Sequence, residues 1–211
     1  ISVMYKNQKY ILKEMGKSMN YGLDYLLVDR CKKLFGLKDM KMKRICSDKG
    51  QVKIDPKKRS YVDNVVIGIK RCTYCMMEFW ENIGDLGKNK DILDNEKVKK
   101  ECMKIRLCDG LFMSSDNILR NILVNKEGDL LSIDEGDLFG KRKSIFNKND
   151  WCKKHCDWDM IEEIIDEWYK GSDNIMIGIM KAMIETDYML DDIFHRFHNY
   201  KKIVMDEWMN G

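Results

Sequence analysis

The chain has 211 residues, of which 44% are apolar and 35% charged, with a single proline (Pro56) and a formal net charge of +3. That length and apolar content suffice for one large domain or two small lobes around a substantial core, and they exclude a disordered chain. No apolar run approaches the roughly 20 residues that span a bilayer, and the first residues hold no signal-peptide apolar stretch, so a soluble protein without a transmembrane segment is expected.

In chain order, Ser2 to Tyr5 and Tyr10 to Lys13 are expected as strands joined by the polar turn Lys6 to Lys9, the second ending in YILKEM. Asn20 is placed to cap a helix from about Tyr21 to Phe35, with Leu23, Leu26, Leu27, Cys31 and Leu34 on one face and Gly36 just past its end. Val65 to Ile69 and Tyr74 to Phe79 are expected as strands, Glu81 to Gly87 as a turn-rich segment, and Asn95 to Leu107 as a helix. Ile122 to Val124 and Leu130 to Ile133 then form a hairpin around a turn at Asn125 to Asp129 that contains Gly128. Beyond it, Asp159 to Lys170, Asn174 to Thr186 and Leu190 to Trp208 carry helical periodicity, so the final third is helical. Ile1 already begins a strand-like pattern, and the expectation is that an N-terminal segment is missing ahead of it.

The net charge conceals an asymmetry. Residues 1–60 hold 16 Lys/Arg against 6 Asp/Glu, whereas residues 151–211 hold 7 against 13. A basic N-terminal half suits a phosphate-bearing partner or an anionic membrane surface, the latter as a peripheral contact. No zinc-finger spacing or aromatic RNA-binding strand accompanies it, so no specific nucleic-acid motif is present. Eight cysteines in a chain without an export signal read as reduced thiols in a cytoplasmic, reducing compartment. Cys72 with Cys75, and Cys152 with His155 and Cys156, have the look of two half-sites for zinc. They lie far apart in the sequence, and ordinary buried thiols are the simpler expectation.

The segment SSDNILRNILVNKEGDLLSIDEGDLFG, residues 114 to 140, poses the functional question. Antiparallel pairing of its two strands brings Asp116 and Asn121, before the first, to the same end as Asp134, after the second. A hairpin alone does not require three polar groups there. Asp116 and Asn121 fit the kinase catalytic-loop spacing DxxxxN, and Asp134, Glu135 and Gly136 stand where DFG stands. The stretch resembles the protein-kinase-like superfamily, and most of all the phosphatidylinositol 3-/4-kinase group of atypical kinases. That group's pattern meets Asn121, Leu123, Gly128, Leu130, Ile133, Asp134, Gly136 and Gly140 without a gap. Aminoglycoside phosphotransferases carry a similar ending to Ile133–Asp137, IDEGD. The likeness is strong over about 25 residues and loose elsewhere.

The resemblance implies an α+β bilobal protein-kinase-like fold, with a small β-rich N-lobe, truncated at its start, over residues 1–80 and a mainly helical C-lobe over residues 81–211. It implies an ATP- and Mg²⁺-dependent phosphotransferase acting on a hydroxyl of a protein or an inositol lipid. Asp116 would be the catalytic residue that orients or deprotonates the acceptor; Asn121 and Asp134 would bind the metal. Lys13 would neutralise nucleotide phosphates, with Asp24 as the helix carboxylate paired to it, and the backbone of Met77, Glu78 and Phe79 would form the hinge that meets an adenine ring. The chain departs from the pattern at Asn117 and Ile118, where the lipid-kinase group has Arg and His, and at Glu135, where DFG has Phe; no glycine-rich loop is visible. These departures support an alternative, a catalytically inactive pseudokinase serving as a nucleotide-binding or scaffolding module in a larger assembly.

Overall fold

A computed structural model describes residues 2–5, 7–16, 22–46, 73–114, 118–133, 144–146 and 151–210, and they form an α+β structure. Strands β1 (Ser2–Tyr5), β2 (Gln8–Gly16), β3 (Lys43–Cys46) and β4 (Thr73–Glu78) make an antiparallel sheet in the order β1-β2-β4-β3. In its centre Lys13 pairs with Cys75 and Ile11 with Met77. β3 was not expected from the sequence. Its KRIC stretch shows no apolar alternation, and it is an edge strand, where basic residues discourage further pairing. The expected strand Val65 to Ile69 lies outside the described residues.

Helix α1 (Leu23–Lys32) follows the first hairpin. It starts later than Tyr21, because Gly22 takes a left-handed φ of 84° that no preceding helical turn can adopt. The expected cap Asn20 lies outside the described residues. At the other end a 3-10 turn (Lys33–Phe35) leads to Gly36 at φ 72°, and the N–H groups of Gly36 and Leu37 return to the carbonyls of Lys33 and Lys32 in a Schellman closure.

Helix α2 (Glu96–Leu111) is capped by Asn95, whose side chain accepts from the N–H groups of Lys97 and Val98. A second sheet joins β5 (Gly84–Asp85), β6 (Ile122–Val124) and β7 (Leu130–Ser132) in that order, with Gly128 at φ 80° in the hairpin turn. Then come α3 (Trp151–His155), α4 (Trp158–Lys170), α5 (Ser172–Thr186), α6 (Ile193–His198) and α7 (Tyr200–Asn210). The single helix expected over Leu190 to Trp208 is in fact two. Tyr169 of α4 enters the break: its hydroxyl donates to the Phe197 carbonyl at 3.1 Å and accepts from the Lys201 N–H at 2.9 Å. That tertiary contact leaves no trace in the periodicity. Among the described residues no helix is long and apolar enough to cross a membrane.

Two apolar clusters organise these elements, and α1 belongs to both. Leu27, Val28, Cys31 and Phe35 enter the larger cluster with α2 and the C-terminal helices, while Leu26 joins Met40, Met42, Cys75, Met77 and Leu131 in the smaller one. Phe35 is the hub of the first, edge-on to Phe112, Trp168 and Phe197 at 6.1, 4.8 and 6.3 Å.

The end of α2 is packed just as tightly. The Arg196 guanidinium donates to the Gly110 carbonyl, and the fully buried Tyr200 hydroxyl donates to that of Leu107. A Cβ on Gly110 would lie 2.7 Å from the Tyr200 hydroxyl and 2.8 Å from Ile145. Helix propensity favours alanine over glycine by about 1 kcal/mol, but overpacking costs about 1–3 kcal/mol. Gly110→Ala is therefore expected to lower stability in urea melts; a gain would show that the Tyr200 contact yields freely.

Candidate functional site

The smaller apolar cluster is open on one side and lines a cavity of about 580 Å³, within the range of small-molecule sites. One wall is the sheet, with Ile11, Leu12 and Lys13 of β2 beside Cys75 and Met77 of β4. A second is the segment before β3, where Met40 and Met42 point inward from either side of Lys41. The third is the hairpin, through Leu123, Leu131 and Ile133, and the lip is formed by Phe79, Trp80 and Asn82. Alternation along β4 explains the first wall: Cys75 and Met77 are buried on one face, and Met76 between them is not.

The charged residues of the cavity's lining are Lys13 and Glu78. Lys13 donates to the Tyr25 hydroxyl at 3.3 Å, with its Nζ 4.6 Å from that ring's centre. At the lip, the Nζ of Lys9 lies 3.7 Å from the centre of the Phe79 ring and that of Lys38 lies 4.8 Å from Trp80, so two further cations flank the opening. Lys41 pairs with Glu78 at 2.9 Å.

The shape of the second wall depends on one buried carboxylate. Asp29, 2% exposed on α1, accepts from the N–H groups of Met40 at 2.6 Å and Met42 at 2.8 Å. Lys41 between them has a φ of 48°, a conformation that costs a non-glycine residue about 1–2 kcal/mol and that these two bonds stabilise. Burial pushes the Asp29 carboxyl above its ordinary value, opposed by the nearby Lys32 charge and by the two N–H groups. One turn further along α1, Lys32 is 1% exposed and donates to the carbonyl of Ser132, the last residue of β7, at 2.7 Å.

Of the residues singled out from the sequence, Lys13, Met77, Glu78 and Phe79 all line this cavity. The Glu78 and Phe79 N–H groups are engaged by the carbonyls of Met40 and Lys9, at 3.3 and 2.9 Å. Backbone donors for a base at the lip would therefore come from Trp80 onward. Asp24 lies in the first turn of α1, where its carboxylate accepts from the Tyr25 N–H at 2.9 Å. The Tyr188 hydroxyl is pushed up mainly by burial and also by the charge of Asp24.

Asn121 is half-buried at the foot of the hairpin. Its carbonyl accepts from the N–H of Ile133 at 2.7 Å, so Asn121 and the residue directly before Asp134 are held together. Asp116 and Asp134 themselves lie outside the described residues, as does Cys72. Cys75 donates to the Gly22 carbonyl at 3.8 Å and Cys152 is buried. Among the described residues no three His, Cys, Asp or Glu side chains gather as a metal site.

Reading the sequence passed over Met40, Met42, Tyr25, Trp80, Asn82, Asp29 and Lys32. The only trace of the last two is their setting in VDRCK, where Asp29 follows Val28 and Lys32 follows Cys31. No protein-family model matches the chain, and no curated protein matches it.

If Asp29 holds the Met40–Met42 turn, Asp29→Asn replaces one acceptor by a donor facing an N–H and is expected to cost about 1–3 kcal/mol. The pH dependence follows from the raised pKa of this acid: the folded state holds the proton more tightly than the unfolded state, so this group's contribution is greatest below its ordinary pKa and declines as pH rises through the folded value. The deficit of the variant, read from melting curves, is therefore expected to be larger near about pH 4 than near about pH 7. A deficit that grows with pH would show the carboxylate to be stabilised on folding.

Proposed function

We propose that the chain is an ATP- and Mg²⁺-dependent phosphotransferase of protein-kinase-like type, with residues 1–80 as the smaller lobe and 81–211 as the larger, passing the γ-phosphate to a hydroxyl of a protein or an inositol lipid. One observation carries this reading. Three features that the sequence resemblance picked out at separate places in the chain, Lys13, the segment Met77–Phe79 and the hairpin ending at Ile133, border a single cavity. Its lining, rich in apolar side chains such as Met77 and Leu131, suits a flat base, and Lys13 among them suits phosphate oxygens.

An amide oxygen at Asn121 and a carboxylate at Asp134 are the hard oxygen donors that Mg²⁺ favours, and both belong to the foot of one hairpin in the sequence. Bound there, Mg²⁺ would neutralise charge on the β- and γ-phosphates. Asp116 takes the acceptor proton as the hydroxyl oxygen bonds to the γ-phosphorus and the bond to the ADP oxygen breaks. The basic N-terminal half favours an anionic acceptor or a membrane surface, in a reducing cytoplasmic setting. The alternative is an inactive nucleotide-binding module, favoured by Glu135 in place of Phe and by Asn117 and Ile118 in place of Arg and His.

The test is label transfer from γ-labelled ATP to mixed protein and inositol-lipid substrates, combined with the thermal shift produced by Mg·ATP. Lys13→Ala should weaken ATP binding or turnover, with a stability loss of no more than about 1–2 kcal/mol from its contacts with Tyr25. Asp134→Asn should abolish the Mg²⁺-dependent shift. Asp116→Asn should keep most of it yet lower transfer about 10²- to 10⁴-fold, and Asn121→Ala should fall between them. If all three motif variants match the parent in both readouts, the phosphotransferase reading is wrong. Binding without transfer in the parent selects the inactive module.

A further inference from the structure

Three contacts close a ring around Lys13 in the cavity wall. Lys13 pairs with Cys75 across β2 and β4, so both side chains stand on the same face of the sheet, and both line the cavity. The Cys75 thiol donates to the carbonyl of Gly22 at 3.8 Å, which ties the start of α1 to the strand position opposite Lys13. Three residues on, Tyr25 turns back to the same lysine. Its hydroxyl accepts from the Lys13 Nζ at 3.3 Å, its ring centre lies 4.6 Å from that atom, and it too lines the cavity. Asp24, the residue that the resemblance puts beside Lys13, accepts from the Tyr25 N–H at 2.9 Å and so steadies the backbone of this tyrosine.

We infer that Tyr25 is a positioning residue for Lys13, holding its ammonium group at the cavity wall before a ligand arrives. Lysine carries its charge on a flexible four-carbon stem. Ordering such a side chain at the moment of binding lowers affinity by roughly two- to tenfold. The ring and hydroxyl of Tyr25 order it when the chain folds, and they do so without neutralising it: an aromatic face attracts a cation through its quadrupole, and a hydroxyl carries no charge. The inference rests on the phosphotransferase reading and adds to it a phosphate-facing lysine set by an aromatic hydroxyl of α1. A tyrosine that only fills space would, on removal, weaken adenosine and ATP alike or neither, whether or not Lys13 is present. A positioning tyrosine affects the phosphate-bearing ligand alone, and only through the lysine.

The experiment measures adenosine and ATP affinities by calorimetry on the full chain as parent, Tyr25→Phe, Tyr25→Leu, Lys13→Met and the two double variants. Tyr25→Leu is expected to lower ATP affinity about tenfold. Tyr25→Phe, which loses the hydroxyl and keeps the ring over the cation, is expected to lower it about threefold. Adenosine, which has no phosphate, is expected to stay within about twofold of the parent in both. In the Lys13→Met background neither Tyr25 substitution is expected to change ATP affinity by more than about twofold, because the two residues act as one unit. If Tyr25→Leu does not fold, the cycle of Tyr25→Phe with Lys13→Met decides. Equal losses for adenosine and ATP, an unchanged ATP affinity, losses that add in full to that of Lys13→Met, or failure of both Tyr25 variants to fold would each overturn the inference and leave Tyr25 a packing residue. Failure of the reading beneath it is visible separately and takes the inference with it: the parent would bind neither ligand, or Lys13→Met would bind ATP as the parent does.

Discussion

A carboxylate and an ammonium group one turn apart on a buried helix hold together the two sides of this protein's cavity. Removing either charge from water costs several kcal/mol, which only good geometry and further hydrogen bonds offset. Asp29 meets that condition through two short bonds to N–H groups, and Lys32 through a carbonyl at 2.7 Å. The remaining architecture serves to keep this turn of α1 in place. Leu27, Val28 and Cys31 anchor the helix in the helical core, Leu26 anchors it toward the sheet, and the Schellman closure at Gly36 delivers Phe35 to the centre of its aromatic cluster. The close approach of α5 to the 3-10 turn that follows α1 depends on Gly178, where a Cβ would lie 2.4 Å from Leu34.

Local signals in the sequence were strong wherever local chemistry decides the structure. Gly36 ends the first helix and Gly128 turns the hairpin, and each was readable because a single residue type satisfies the backbone there. The hairpin was legible for the same reason, and with it the placement of Asn121 opposite the end of β7. What escaped was set by partners distant in sequence. β3 exists because β4 offers it an edge, the helix over the last residues breaks because Tyr169 enters it, and Met40 and Met42 face the cavity because Asp29 holds their N–H groups. No window of neighbouring residues contains those facts.

The same division applies to the site. Lys13 and the segment Met77 to Phe79 were singled out by resemblance, and antiparallel pairing puts Lys13 beside Cys75, two residues from Met77. The use of the Glu78 and Phe79 N–H groups by Met40 and Lys9 was beyond reach of a motif, since it depends on how a loop folds over the end of a strand. It moves the expected hydrogen-bonding edge for a base toward Trp80 and Asn82, where the Asn82 amide already donates to the Trp80 carbonyl at 2.8 Å. An apolar cavity with Lys13 in its lining and Lys9 and Lys38 against the aromatic rings of its lip is chemically suited to a flat heterocycle carrying negative charge, and far less to an uncharged polar ligand such as a sugar.

The account's central claim is that this cavity takes a nucleotide, and amide hydrogen exchange of the full chain with and without saturating Mg·ATP tests it most directly. The account predicts slowed exchange confined to four backbone segments, residues 10–13, 40–42, 77–82 and 121–133, because these contain the residues that line the cavity along the sheet, the turn before β3, the lip and the hairpin. Residues 172–186 of α5 and 200–210 of α7 should exchange as before. Protection centred on those helices, or no protection anywhere at saturating nucleotide, would contradict the claim.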